Sequence, residues 1–190
     1  MNRFPQISRL ALSAAGLLLV AVTATAQTAQ PAPAAPTAAT QTRIHEADQT
    51  FITDGTKAVS TQRDAARIAD SRTSDSQVKA FAQRVSTDDA KIIQSMRAAS
   101  PRGIDVPAND PDTTVLDSIK TLRGAEFDKA YIEQVALAGQ QKTISAFQAE
   151  IASGRDTKLK EVARQSLPIL QAHYAEAQKL AQRHHLASAQ

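Results

Sequence analysis

The stretch Lys158–His185, KLKEVARQSLPILQAHYAEAQKLAQRHH, decides the fold. Alternating strides of four and three through it meet Leu159, Ala163, Ser166, Leu170, His173, Ala177, Leu180 and His184. That is the period of a long helix with one face packed in a bundle. On this phase His173 points inward. Pro168 lacks an N–H and leaves the carbonyl of Arg164 without its usual donor, so a kink or bulge is expected about one turn before the histidine.

The rest of the chain repeats the pattern. Helix one, expected over residues 42–71, carries Phe51, Gly55, Ala58, Gln62, Ala65 and Ala69 on its inner face. After the break Arg72-Thr73-Ser74-Asp75, where Ser74 or Thr73 can cap the next helix, helix two over residues 75–99 carries Val78, Ala82, Val85, Asp89, Ile92, Met96 and Ala99. A turn this short sets the two helices antiparallel. Helix three, over residues 125–152, has the candidate inner set Glu133, Leu137, Gln140, Ile144, Phe147 and Ile151; a register one residue over would select Gln134 and Gln141 instead. Gly154 suits a left-handed C-cap, and Asp156 can cap helix four. The expected fold is an all-α four-helix bundle of two hairpins.

The hairpins are joined by an unusual connection. Ser100–Pro111, SPRGIDVPANDP, is rich in breakers, and Thr113–Leu122 can form one short helix. Together they make about two dozen residues, where bundle helices are usually joined by two to eight. That length can run the whole side of a bundle and make helices two and three parallel.

The N-terminal part is of a different kind. Residues 1–26 have Arg3 and Arg9, the apolar run Leu10–Val22, and the small-x-small site Ala24-Thr25-Ala26 ahead of Gln27, which reads as a cleaved secretory signal. An uncleaved anchor is the less favoured alternative, since the apolar run falls short of the ~20 residues that span a bilayer. Residues 27–41, QTAQPAPAAPTAATQ, read as a disordered Ala/Pro/Thr tether, and residues 187–190 as a frayed tail. The bundle domain is thus expected over residues 42–186, exported to the periplasm or peripherally associated with the outer membrane.

Composition narrows the chemistry. The chain has no cysteine, so disulfides, thiolate nucleophiles and thiolate metal sites are excluded. The sequence pI is about 9.3, but two of the 22 Lys and Arg are in the leader, leaving 20 against 19 Asp and Glu. Bases alternate with acids and lack aromatic neighbours, so nothing suggests a nucleic-acid footprint. No segment after residue 26 has the apolar length of a transmembrane helix, and the helical period speaks against a membrane barrel.

Each long helix carries one polar residue on its inner face: Gln62, Asp89, Gln140 and His173. With helices two and three parallel, the four fall within about 10 Å along the bundle at 1.5 Å per residue. Two readings follow. In the favoured one the amides, carboxylate and imidazole satisfy one another and set helix register, with no cofactor. In the other they form a reduced metal site for iron, manganese or zinc, with His173, Asp89 and Glu133 as ligands. No nucleophile or oxyanion donor accompanies the His-Asp pair, so catalysis is not favoured. His184 and His185, at a helix C-terminus, and His45, at the start of helix one, are expected to be solvated.

The motifs FAQRV at Phe81–Val85, the following Asp88-Asp89, LRGAEFDKAYI at Leu122–Ile132 and LPILQAH at Leu167–His173 together resemble a bacterial exported family, domain of unknown function 4142. The resemblance implies a ferritin-like helical bundle in the cell envelope, often labelled an outer-membrane protein, with undefined activity. It also implies a glutamate where Gln62 stands, an Asp-His pair where Asp88-Asp89 stands, and a histidine near Gln140. His173 alone matches that polar set. The function this supports is a non-catalytic binding or structural module for an envelope protein or small ligand; the alternative is a metal-binding protein with a redox or storage role.

Overall fold

The computed structural model describes residues 44–186, all of them in helices or their connections; the signal, the tether and the last four residues of the chain lie outside that range. The first long helix, α1, covers 46–72 in three contiguous segments: Glu46–Thr50, the π-helical Phe51–Gly55, and Thr56–Arg72. Then come α2 (Ser76–Ala99) and the short α3 (Thr113–Lys120). Helix α4 covers 124–153 as Gly124–Ala130, the π-helical Tyr131–Gly139 and Gln140–Ser153; α5 is Thr157–Arg183.

The four long helices form a bundle in which every packed neighbour is antiparallel. Asp70 on α1 meets Gln83 on α2, and His184 at the end of α5 meets Asp75 at the start of α2. Phe51 near the start of α1 packs edge-on against Phe147 near the end of α4, and Gln140 on α4 meets Leu170 on α5. Helices α2 and α4 therefore run parallel on opposite corners, as the long connection allows. One apolar cluster is built around Phe81, Phe127, Tyr131 and Leu180, the other around Phe51, Met96, Phe147 and Leu159.

The connection is tied down along α1. Ser60 Oγ and Thr61 Oγ1 accept the N–H groups of Asp110 and Asp112, and Arg63 Nη1 donates to the carbonyl of Ala108. This explains why α1 is buried more widely than one stripe: Ser60, Thr61 and Arg63 lie under the connection. Asp112 then caps α3 by accepting the N–H of Thr114.

Local details depart from the sequence reading at each irregularity. Helix α1 starts at Glu46, with His45 Nδ1 accepting the N–H of Ala47, so His45 is a cap. Ala58 is half-buried and Val59 takes the inner position, four residues after Gly55 and three before Gln62. Asp75, not Ser74 or Thr73, caps α2, accepting from Gln77 and Val78; the bond from Val78 holds its carboxyl below the ordinary value. His184 is half-buried and lies 3.4 Å from Asp75 instead of in solvent. Gly154 has φ −61 and ψ 152, an extended conformation and not a left-handed one, and the Glu150 carboxyl occupies the space a Cβ there would take. Asp156 caps α5 as expected. Of the kink or bulge expected at Pro168, no bulge is present, since α5 is α-helical throughout, and the π-helical turns lie in α1 and α4.

The Thr61 hydroxyl anchors the connection through one hydrogen bond, which gives a direct test. Thr61→Val should lower stability by about 1–2 kcal/mol in urea unfolding. The amide of Asp112 should also exchange faster with solvent.

Candidate functional site

Positions Gln62, Asp89, Gln140 and His173 are 3%, 0%, 0% and 2% exposed, so each long helix contributes one deeply buried polar residue. None of the four hydrogen-bonds another. Gln62 Nε2 donates to the carbonyl of Val135 at 3.0 Å, and Gln140 Nε2 donates to the carbonyl of Leu170 at 3.2 Å. Each amide thus bonds to the backbone of a neighbouring helix. The Val135 carbonyl sits in the π-helical part of α4, and Gly139 ends that segment against Gln62. A Cβ at Gly139 would overlap Gln62 Nε2, so this contact requires glycine.

The imidazole pairs with the neighbour of the residue singled out for it. His173 Nε2 lies 3.3 Å from Asp88 Oδ2, while both carboxyl oxygens of Asp89 and Nδ1 of His173 take no hydrogen bond among the described residues. Burial lowers the His173 pKa, an effect that the hydrogen bond and charge of Asp88 oppose. Burial raises the Asp89 pKa well above the carboxylate range; the Asp88 charge adds to this and Arg63 partly offsets it. Burial, with Asp89 second, also raises the fully buried Tyr131 phenol. The interior thus favours the neutral forms of a carboxyl, an imidazole and a phenol.

Register on α4 accounts for the remaining candidates. Gln140 and not Gln141 is buried, but Glu133, Ile144 and Ile151 are half-buried, and Thr143 and Glu150 take inner positions. Beyond the π segment the inner stride is 140, 143, 147 and 150, an ordinary α-helical alternation of three and four. Glu133 lies outside the innermost layer. Among the described residues no three His, Asp or Glu side chains are placed to hold a metal ion together. His173, Asp89 and Glu133 are therefore not gathered into such a group.

A second buried polar pair had no place in the sequence reading. Asp48, 2% exposed, accepts the N–H groups of Arg155 and Asp156 on Oδ1 at 2.8 and 3.0 Å. It thereby ties the first turn of α1 to the turn between α4 and α5. Glu150, 1% exposed, lies near it, and burial, followed by the charge of Asp48, pushes its pKa up to about 7. Two neighbouring carboxylates repel each other, which favours the protonated form of Glu150; neither of its carboxyl oxygens takes a hydrogen bond among the described residues. The signal was available: one more stride back from Gly55 and Phe51 reaches Asp48.

The family model for Domain of unknown function (DUF4142) matches residues 33–180. The chain belongs to this family. No curated protein and no solved structure matches the chain. Membership in DUF4142 agrees with the motifs at Phe81–Val85, Leu122–Ile132 and Leu167–His173, and it carries no assigned activity.

Two substitutions test the electrostatics. The folded chain holds the Glu150 proton more tightly than the unfolded chain does. Its stabilisation is complete below the ordinary carboxylate pKa and is lost as the pH rises through about 7. Glu150→Gln should therefore gain stability over the native chain between pH 5 and 8, by about 1 kcal/mol or more at pH 8, in urea titrations at each pH. Asp89 is raised in the same direction, so Asp89→Asn should be nearly neutral at pH 4 and increasingly stabilising towards pH 8.

Proposed function

We propose that the mature protein is exported, resides in the periplasm or peripherally on the outer membrane, and works as a non-catalytic helical-bundle module that binds an envelope protein or a small ligand. The observation that carries this reading is how the buried polar groups are used. The amides of Gln62 and Gln140 bond to backbone carbonyls, and His173 bonds to Asp88. These contacts build the bundle and leave binding to its clefts and outer surface. The signal-like residues 1–26 support export, and among the described residues no helix is long and apolar enough to cross a membrane. On this reading the protein has no resident metal, and His173 is structural.

The periplasmic protein, purified without an affinity tag, tests each part. Intact mass should place the mature N-terminus at Gln27. Elemental mass spectrometry should find far less than one equivalent of iron, manganese or zinc, and His173→Ala should lower the melting temperature without changing metal content. About one equivalent of metal, lost in the variant, would overturn the reading in favour of a metalloprotein. Crosslinking in the periplasm should recover a discrete envelope complex or, if the ligand is small, leave a monomer that binds it.

A further inference from the structure

A cleft of about 360 Å³ opens between α1, α3 and the middle of α4, within the size range of small-molecule sites. Both π-helical segments contribute to it: Asp54 comes from the first, and Gln134, Val135 and Gly139 from the second. Irregular turns of this kind are over-represented at functional sites. The third wall is the connection, through Asp112 and Val115. The long crossover therefore has a consequence beyond topology, since it closes this cleft.

Most polar groups around the cleft are already engaged. Thr61 Oγ1 donates to the carbonyl of Lys57 and accepts the N–H of Asp112, Asp112 caps α3, and Gln134 Oε1 accepts from Ser118. Besides the Asp54 carboxylate and the Gln134 Nε2 donor, three groups are not. The ammonium groups of Lys57 and Lys142, on facing antiparallel helices, form no ion pair among the described residues. The third is Gln62. A carbonyl can accept but not donate, so the bond to Val135 must use Nε2. Oε1 is then an acceptor with no bond from the described residues, on a side chain that lines the cleft yet is only 3% exposed. Gly139 makes room for that side chain, since any Cβ there would displace it.

Resting on the binding-module reading above, we propose that this cleft binds a small monocarboxylic acid that bears a hydrogen-bond donor beside the carboxylate and an apolar body, the chemistry of a branched 2-hydroxy or 2-amino acid. The carboxylate meets Lys57 and Lys142, the donor meets Gln62 Oε1, and the apolar body lies against Val115 and Val135. Asp54, which also lines the cleft, disfavours anions of higher charge.

Titration calorimetry on the mature chain, with 2-hydroxy-4-methylpentanoate and L-leucine as probes, tests the proposal. At least one should saturate at about 1 mM or below, and 4-methylpentanoate, which lacks the donor, should bind about tenfold more weakly or less well still. Lys57→Met and Lys142→Met replace exposed side chains and should melt like the native chain. Each should weaken the probe at least about tenfold. Failure of both probes to saturate the folded protein, or undiminished binding by both variants, overturns the site. If a periplasmic crosslinked complex is still found in either of those cases, the binding-module reading survives; if it is missing as well, both fall.

Discussion

The hydrogen bond from Gln62 on α1 to the carbonyl of Val135 on α4 is the contact on which the middle of the bundle depends. It is directional, so it sets both the axial position and the rotation of one helix against the other, which apolar side chains constrain less tightly. It also needs its surroundings. The carbonyl belongs to a π-helical segment, and that segment ends on Gly139, whose missing Cβ admits the amide. Gln140 makes the corresponding bond from α4 to Leu170 on α5. Two amides thus lock α4 to both of its neighbours. The interior avoids two buried unpaired N–H groups, each of which would cost about 1–3 kcal/mol.

The parallel arrangement of α2 and α4 determines much of the rest. A chain that ends α2 at one end of the bundle and must start α4 at the other needs a connection as long as the bundle. Its backbone polar groups need partners that a helix surface does not ordinarily provide. Ser60, Thr61 and Arg63 provide them, and α1 is consequently buried on more than one face. The two ends of the bundle are then closed by different chemistry. At one end Asp75 pairs with His184 across α2 and α5; at the other Asp48 gathers the two backbone N–H groups of Arg155 and Asp156.

Buried titratable groups often mark a functional centre, and here the shifts trace first to burial. Asp89, Tyr131 and His173 are shifted chiefly by burial, each towards its neutral form. The imidazole is held by Asp88, one residue from Asp89, so the His-Asp pair reaches towards the α2–α5 surface. The groups left uncommitted lie elsewhere, in the cleft beneath the crossover, where backbone irregularity, a required glycine and a nearly buried amide coincide.

The inner faces of α2 and α5 were legible from the sequence because both are α-helical throughout, so one stride describes each from Val78 to Ala99 and from Leu159 to Leu180. The helix count, the long connection and the burial of Gln62, Asp89, Gln140 and His173 follow from the same periodicity. In α1 and α4 that stride breaks at the π-helical turns, and local composition does not announce such a turn: Gly55 and Gly139 end the segments, while Pro168, the residue most expected to disturb a helix, lies in regular α-helix. Glu133 lies within such a segment and is only half-buried, whereas Val59, Thr143 and Glu150 differ from the expected set only in where the strides of three and four fall. Which polar groups meet was beyond the sequence altogether. Gln62 and Gln140 bond to main-chain carbonyls, which every residue possesses, and Asp48 bonds to N–H groups more than a hundred residues away. Periodicity specifies which way a side chain points, but its partner is fixed only when the helices pack at a definite rotation and height.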